Sequence, residues 1–113
     1  MVKRRLCVVV SPDIIGRGQL CTIVPLSTTP PKKVMKYYYQ LQIPLQMPEK
    51  WKENPVWVKG DMVNAVGFHR LDLIRLDKDR QGKRNYQTSV LSQIDMQNIY
   101  ECICQSLGLS YLT

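Results

Sequence analysis

The sequence predicts a mainly β protein, with short antiparallel strands forming a small barrel or strongly curled sheet that one C-terminal α-helix caps. Three observations lead there. Short, β-branched apolar runs recur through the chain as far as residue 68. Pro, Gly, Asn and Asp punctuate them at hairpin distances. Only the stretch from residue 92 onward repeats its apolar residues at helical spacing. With 113 residues, 44% of them hydrophobic, the chain can build one core but not two comfortable ones. A single domain over 1–113 is expected.

Residues 5–11, "RLCVVVS", are almost continuously apolar, as in a strand buried on both faces. Ser11-Pro12-Asp13 ends that run, and Gly16-Arg17-Gly18 makes a basic loop. Residues 19–26, "QLCTIVPL", return as the second strand of a hairpin, with Pro25 tolerated only near an end or an edge. The start of the first strand and the end of the second then share one end of the sheet. That brings Arg5 towards Ser27, Thr28 and Thr29, although they are more than twenty residues apart.

Pro30-Pro31 stops the chain, and residues 34–43, "VMKYYYQLQI", form a third strand. Tyr37, Tyr39 and Leu41 are expected on one side of it, and Tyr38 and Gln40 on the other. Residues 44–54 are a proline-containing loop. The segment "PVWVKGDMVNAVGFHRL" reads as strand 55–59, a Gly60-Asp61 turn and strand 62–68. An exposed basic loop or ribbon follows at about 75–90, where Arg75, Lys78, Arg80, Lys83 and Arg84 mix with Asp77 and Asp79. Ser92, three residues before Asp95, starts a helix over about 92–107. Ile94, Ile99, Cys102, Ile103 and Leu107 make its apolar face, and Gly108 stops it.

Sixteen Lys and Arg against nine Asp and Glu leave a net charge of +7. This balance favours polyanionic partners, nucleic acid or an acidic protein, or it is simply a solvated positive surface. No apolar run approaches the roughly 20 residues that span a bilayer, and "LCVVV" is too short for a secretory segment, so a cytoplasmic protein is expected. Cys7, Cys21, Cys102 and Cys104 have neither CxxC spacing nor a histidine pair nearby. They read as small buried hydrophobes kept reduced rather than as metal ligands.

Arg5 follows Lys3 and Arg4. Its planar fork of donors suits phosphate oxygens and can stabilise charge that develops in phosphoryl transfer; the alternative is a solvated terminal cluster. Ser27 and Thr28 either donate to a phosphate or cap the turn before Pro30. His69 is the sole histidine, so a histidine acid–base pair is excluded, and with Arg70 it reads as ligand-contacting or merely exposed. Tyr37 to Tyr39 either stack bases or pack across strands.

Taken together and in order, "KRRLCVVVSPD", "CTIVPLSTTPP", "WVKGDMVNAVGFHRL" and "IYECICQSLGL" resemble the MazF/PemK toxin family of type II toxin–antitoxin systems, in particular its YifN-like, PemK-like members. The resemblance covers nearly the whole chain apart from the basic insert. It implies an SH3-like curled barrel with a C-terminal helix, as in MazF, PemK and CcdB toxins, normally a homodimer. It also implies a metal-independent endoribonuclease that cuts single-stranded RNA, leaving a 2′,3′-cyclic phosphate and a 5′-hydroxyl. Carried over by motif, the catalytic residues are Arg5 and Ser27, with Thr28 adjacent. Lys3, Arg4, Arg17, Thr29, Asp61, His69 and Arg70 are the implied RNA contacts. The implied partners are single-stranded RNA and a cognate acidic antitoxin, with no membrane and no cofactor.

Three features depart from the family pattern. Leu6 replaces the proline that usually follows the arginine, and Met62 replaces a glutamine after the acidic residue. The chain also opens only four residues before Arg5, so the family's N-terminal strand is expected to be lacking and an edge left for a partner subunit to cover. Two other readings stay open. One is an inactive or truncated module that binds RNA or protein; the other is a gyrase poison similar to CcdB, against which the Arg5 and Ser27/Thr28 pairing argues.

Overall fold

A computed structural model of the chain describes residues 4–12, 18–45, 47–78, 80–87 and 89–109. Within them run β1 (Cys7–Val9), β2 (Leu20–Ser27), β3 (Tyr38–Leu41), β4 (Val56–Lys59), β5 (Asn64–Gly67), β6 (Arg75–Lys78), β7 (Arg84–Tyr86) and α1 (Gln93–Ser106). The architecture is mainly antiparallel β with a C-terminal helix, as expected. β2 is the hub. Its stretch 20–23 pairs with β5, its middle with β1, and its last two residues with β4, which in turn carries β3. Because different stretches of one long strand serve different neighbours, the sheet curls around it. Among the described residues β1, β3 and β5 each pair with one neighbour only, so the sheet does not close.

Pro25 lies inside β2 rather than at an end or an outer edge, and the pairing explains why this is tolerated. Val10 N–H donates to Thr22 O and Leu26 N–H to Leu6 O, so the even-numbered amides of β2 point at β1. The missing N–H of Pro25 would point the other way. There β5 pairing has ended at Ile23 and β4 pairing begins only at Leu26, so no ladder bond is lost.

The core is built by alternation. In β4, Val56 and Val58 are buried while Trp57 and Lys59 point away from them. Val24, Leu41 and Ile99 complete the fully buried set, with Val10, Ile43 and Met47 around it. The helix lays Ile99 and Cys102 on the sheet, and polar bonds fix its pose. Tyr39 Oη donates to Asp95 Oδ1 at 3.2 Å, Tyr100 Oη to Val10 O at 2.7 Å, and Ser106 Oγ to Gly60 O at 2.9 Å. Gly60 allows this close approach, since a Cβ there would stand 2.5 Å from Tyr37 O and 2.9 Å from Cys102 Cβ.

Several expected boundaries move. The first strand contracts to Cys7–Val9, leaving Arg5 just outside it, and the third to Tyr38–Leu41. Tyr37 therefore does not share a strand face with Tyr39. It sits in a turn where Tyr38 N–H donates to Met35 O and Gly60 N–H to Tyr37 O. Ile94 and Leu107 are not core-facing, at 72% and 62% exposed. Ile94 is five residues from Ile99, about 140° round the helix, and Leu107 lies beyond the last turn; Met96 packs inward instead. The basic insert is a two-stranded ribbon, β6 with β7, turning near Gly82, whose φ is +78°. The Gly16-Arg17 part of the first loop lies outside the described residues.

The helix ends are set locally. Ser92 Oγ accepts from Asp95 N–H at 3.1 Å. At the other end Gly108 adopts φ +72°, Leu109 N–H donates to Cys104 O, and Gly108 N–H to Gln105 O, a complete Schellman closure. Ser92→Ala is expected to remove about 0.5–2 kcal/mol of stability. In urea titrations the midpoint should fall while the slope stays constant.

Candidate nucleic-acid interface

The β1–β2 ladder pairs Cys7 with Pro25 and Val8 with Val24, and Leu26 N–H donating to Leu6 O at 3.0 Å carries it one step past the strand end. Arg5 lies just past the last paired residue, and the same register continued by one step would bring it level with Ser27. Directly opposite residues share a face, and here it is the face away from Leu6 and Leu26, which pack against the core. The row continues across the sheet. Ser27 pairs with Trp57, and Trp57 with Gln40. Ser27, Trp57 and Gln40 thus form one transverse line on the outer face, with neighbouring strands about 4.8 Å apart, and Arg5 extends it where the β1–β2 register is continued past Leu6.

A second outer pair lies one step along β4 and β3. Lys59 Nζ stands 4.5 Å over the ring of Tyr38, which also meets the edge of Tyr37. Partial burial raises the pKa of the Tyr38 hydroxyl, and the negative charge of Asp61 and the neighbouring Tyr37 push it the same way. Asp61 itself lies in the exposed turn between β4 and β5.

Hydroxyls cluster where β2 ends. Ser27 Oγ accepts from Thr29 N–H at 3.1 Å and lies 3.4 Å from Thr29 O, closing a tight turn. Thr28 and Thr29 are exposed. Arg5 is also exposed, while Arg4 reaches Asp72 at 3.8 Å in an ion pair too solvated to contribute much stability. Lys3 and Arg17 lie outside the described residues.

His69 and Arg70 sit elsewhere. They form a short turn of helix after β5, where Gly67 pairs with Leu20, seven residues up β2 from Ser27 and roughly 23 Å of strand away. The imidazole of His69 lies against Gly67, where a Cβ would come within 2.7 Å of the ring. The structure therefore gathers Arg4, Arg5, Ser27, Thr28 and Thr29 at one end of β2. It sets His69 and Arg70 near the other.

Trp57 and Lys59 are absent from the residues singled out by sequence. The signal for their outward placement is the alternation of "VWVK", but their proximity to Ser27 depends on a pairing between β2 and β4 that no local motif announces. An apolar cleft of about 360 Å³ flanks the other side of β1, lined by Leu6, Val8, Ile43, Ile74, Leu91 and Met96 among others. Burial raises the pKa of the nearby Cys7 thiol, with a further push from Cys21, and all four cysteines are free. Among the described residues no three His, Cys, Asp or Glu side chains form a metal-binding group. No helix there is long and apolar enough to cross a membrane.

A family model described as PemK-like, MazF-like toxin of type II toxin–antitoxin system matches residues 1–107. No curated protein and no solved structure gives a match.

Proposed function

From a chain that belongs to the PemK-like, MazF-like toxins of type II toxin–antitoxin systems, we propose an endoribonuclease that cuts single-stranded mRNA in the cytoplasm without a metal ion. The observation that supports this reading is the β1–β2 register, which, continued past the Leu26 N–H to Leu6 O bond, brings Arg5 level with Ser27 at one end of the sheet. In the proposed step, a ribose 2′-oxygen attacks the adjacent phosphorus and its proton passes to water. The bond to the 5′-oxygen of the next nucleotide breaks, and that oxygen takes up a proton. The products are a 2′,3′-cyclic phosphate and a 5′-hydroxyl. Arg5 supplies the charge that steadies the doubly charged phosphorane, the role that suits a guanidinium better than that of a base. Ser27, or Thr28 beside it, orients a non-bridging oxygen. Arg4 and Thr29 lie close enough in the chain to hold flanking phosphates, with Lys3, Arg17, Asp61, His69 and Arg70 as further RNA contacts. A homodimer neutralised by an acidic antitoxin completes the proposal, consistent with the net charge of +7.

A second reading, a basic module that holds RNA without cutting it, is favoured by one observation. Ser27 Oγ is already engaged by Thr29. Purified protein incubated with mixed single-stranded RNA in EDTA distinguishes the two. Fragments ending in cyclic phosphate are expected, with the rate falling steeply as salt rises. Salt-sensitive retention of intact RNA instead would establish the second reading.

A further inference from the structure

We propose that Trp57 is the base-stacking shelf of this face, receiving a nucleobase next to the phosphate held at Arg5 and Ser27. The inference rests on the reading of Arg5 and Ser27 as the phosphate site. Trp57 is the direct cross-strand neighbour of Ser27, on the outer side of a strand whose inward residues, Val56 and Val58, are fully buried. An indole confined to the core would need a partner for its N–H. Among the described residues no buried side-chain nitrogen or oxygen lacks a partner and no hydrogen bond is made by the Trp57 indole, so the N–H of this half-buried ring keeps contact with solvent.

The neighbourhood suits a single-stranded nucleic acid. One strand spacing, about 4.8 Å, separates the Ser27 and Trp57 backbones, which matches a phosphate and the base beside it. Gln40, exposed and opposite Trp57 on its far side, carries both a donor and an acceptor for a base edge. Lys59, next outward residue on the same strand, supplies positive charge for the following phosphate while resting on Tyr38. Aromatic faces interleaved with cations are the arrangement by which sheets hold unpaired bases, because every base has a π-face to stack.

The test uses the full chain and a short mixed-sequence oligoribonucleotide with 2′-O-methyl groups, which cannot be cut. In a Trp51→Phe background Trp57 is the sole tryptophan. Its emission should be quenched saturably as the oligonucleotide is added. Trp57→Phe should bind within a few-fold of wild type. Trp57→Leu, apolar but without a π-face, should bind about 5- to 150-fold more weakly, the loss expected for one base–aromatic stack. Binding with unchanged Trp57 emission would overturn the shelf and leave the nuclease reading intact, and so would wild-type affinity in Trp57→Leu. The emission result needs no substitution at Trp57, so it decides even if Trp57→Leu is unstable. A wild type that neither binds this probe nor cuts unmodified RNA would instead overturn the nuclease reading, and the shelf with it.

Discussion

Arg5→Ala is expected to lower kcat/KM on single-stranded RNA by about 10²–10³-fold, the loss that follows removing one donor aimed at charge developing in a transition state. The loss should fall on kcat more than on KM, because the phosphorane carries one more negative charge than the bound diester. Melting should not change. Arg5 is exposed, lies beyond the last paired residue of β1, and makes no ion pair among the described residues. Arg5→Lys should recover part of the rate, since it keeps the charge but loses the planar fork that meets two phosphate oxygens at once. Initial rates in EDTA beside circular-dichroism melts check both halves. Undiminished cleavage by Arg5→Ala would remove this residue from the site. Ser27→Ala should lose less than Arg5→Ala, because Thr28 offers a second hydroxyl one residue away.

Ile99→Ala is expected to cost about 2–5 kcal/mol, a large share of the 5–15 kcal/mol that holds a domain of this size. Ile99 is fully buried and belongs to the same cluster as Val24, Leu41, Val56 and Val58, so it joins the helix to three strands at once. Truncation removes apolar contacts and leaves a cavity that the sheet cannot refill without bending, whereas alanine's better helix propensity returns only about a few tenths of a kcal/mol. Ile94→Ala is the matched control. At 72% exposed it should shift stability by less than about 0.5 kcal/mol. Urea unfolding of the two variants measures the difference, and equal midpoints would mean that the helix is not seated as described.

The contrast between these two isoleucines marks where local reading stops. Both fit a helical apolar pattern, and Ser92 and Gly108 bracket the helix through chemistry that needs no distant partner. Which of the two meets the sheet depends on the rotation of the helix, set by Tyr39 with Asp95 and by Ser106 with Gly60. The tyrosine run behaves the same way. Its alternation separates Tyr39, facing the core, from Tyr38, facing Lys59, but the turn that takes Tyr37 out of the strand is stabilised by Gly60, over twenty residues later.

The candidate site divides along the same line. A hairpin argument brings Arg5 to the same end of the sheet as Ser27 because antiparallel strands joined by a loop must run back beside each other. The position of β4 against the last two residues of β2, and hence of Trp57 beside Ser27, is a pairing across thirty residues. By itself, then, the sequence determined the antiparallel strand plan, the helix with its two caps, the basic character and the juxtaposition of Arg5 with the Ser27 turn. Only the tertiary structure decided the lateral order of the strands, the switch at Pro25 and the aromatic neighbour of the site. Alternation and turn residues specify which way a side chain faces, whereas the strand that comes to lie beside it is chosen by how the whole core packs.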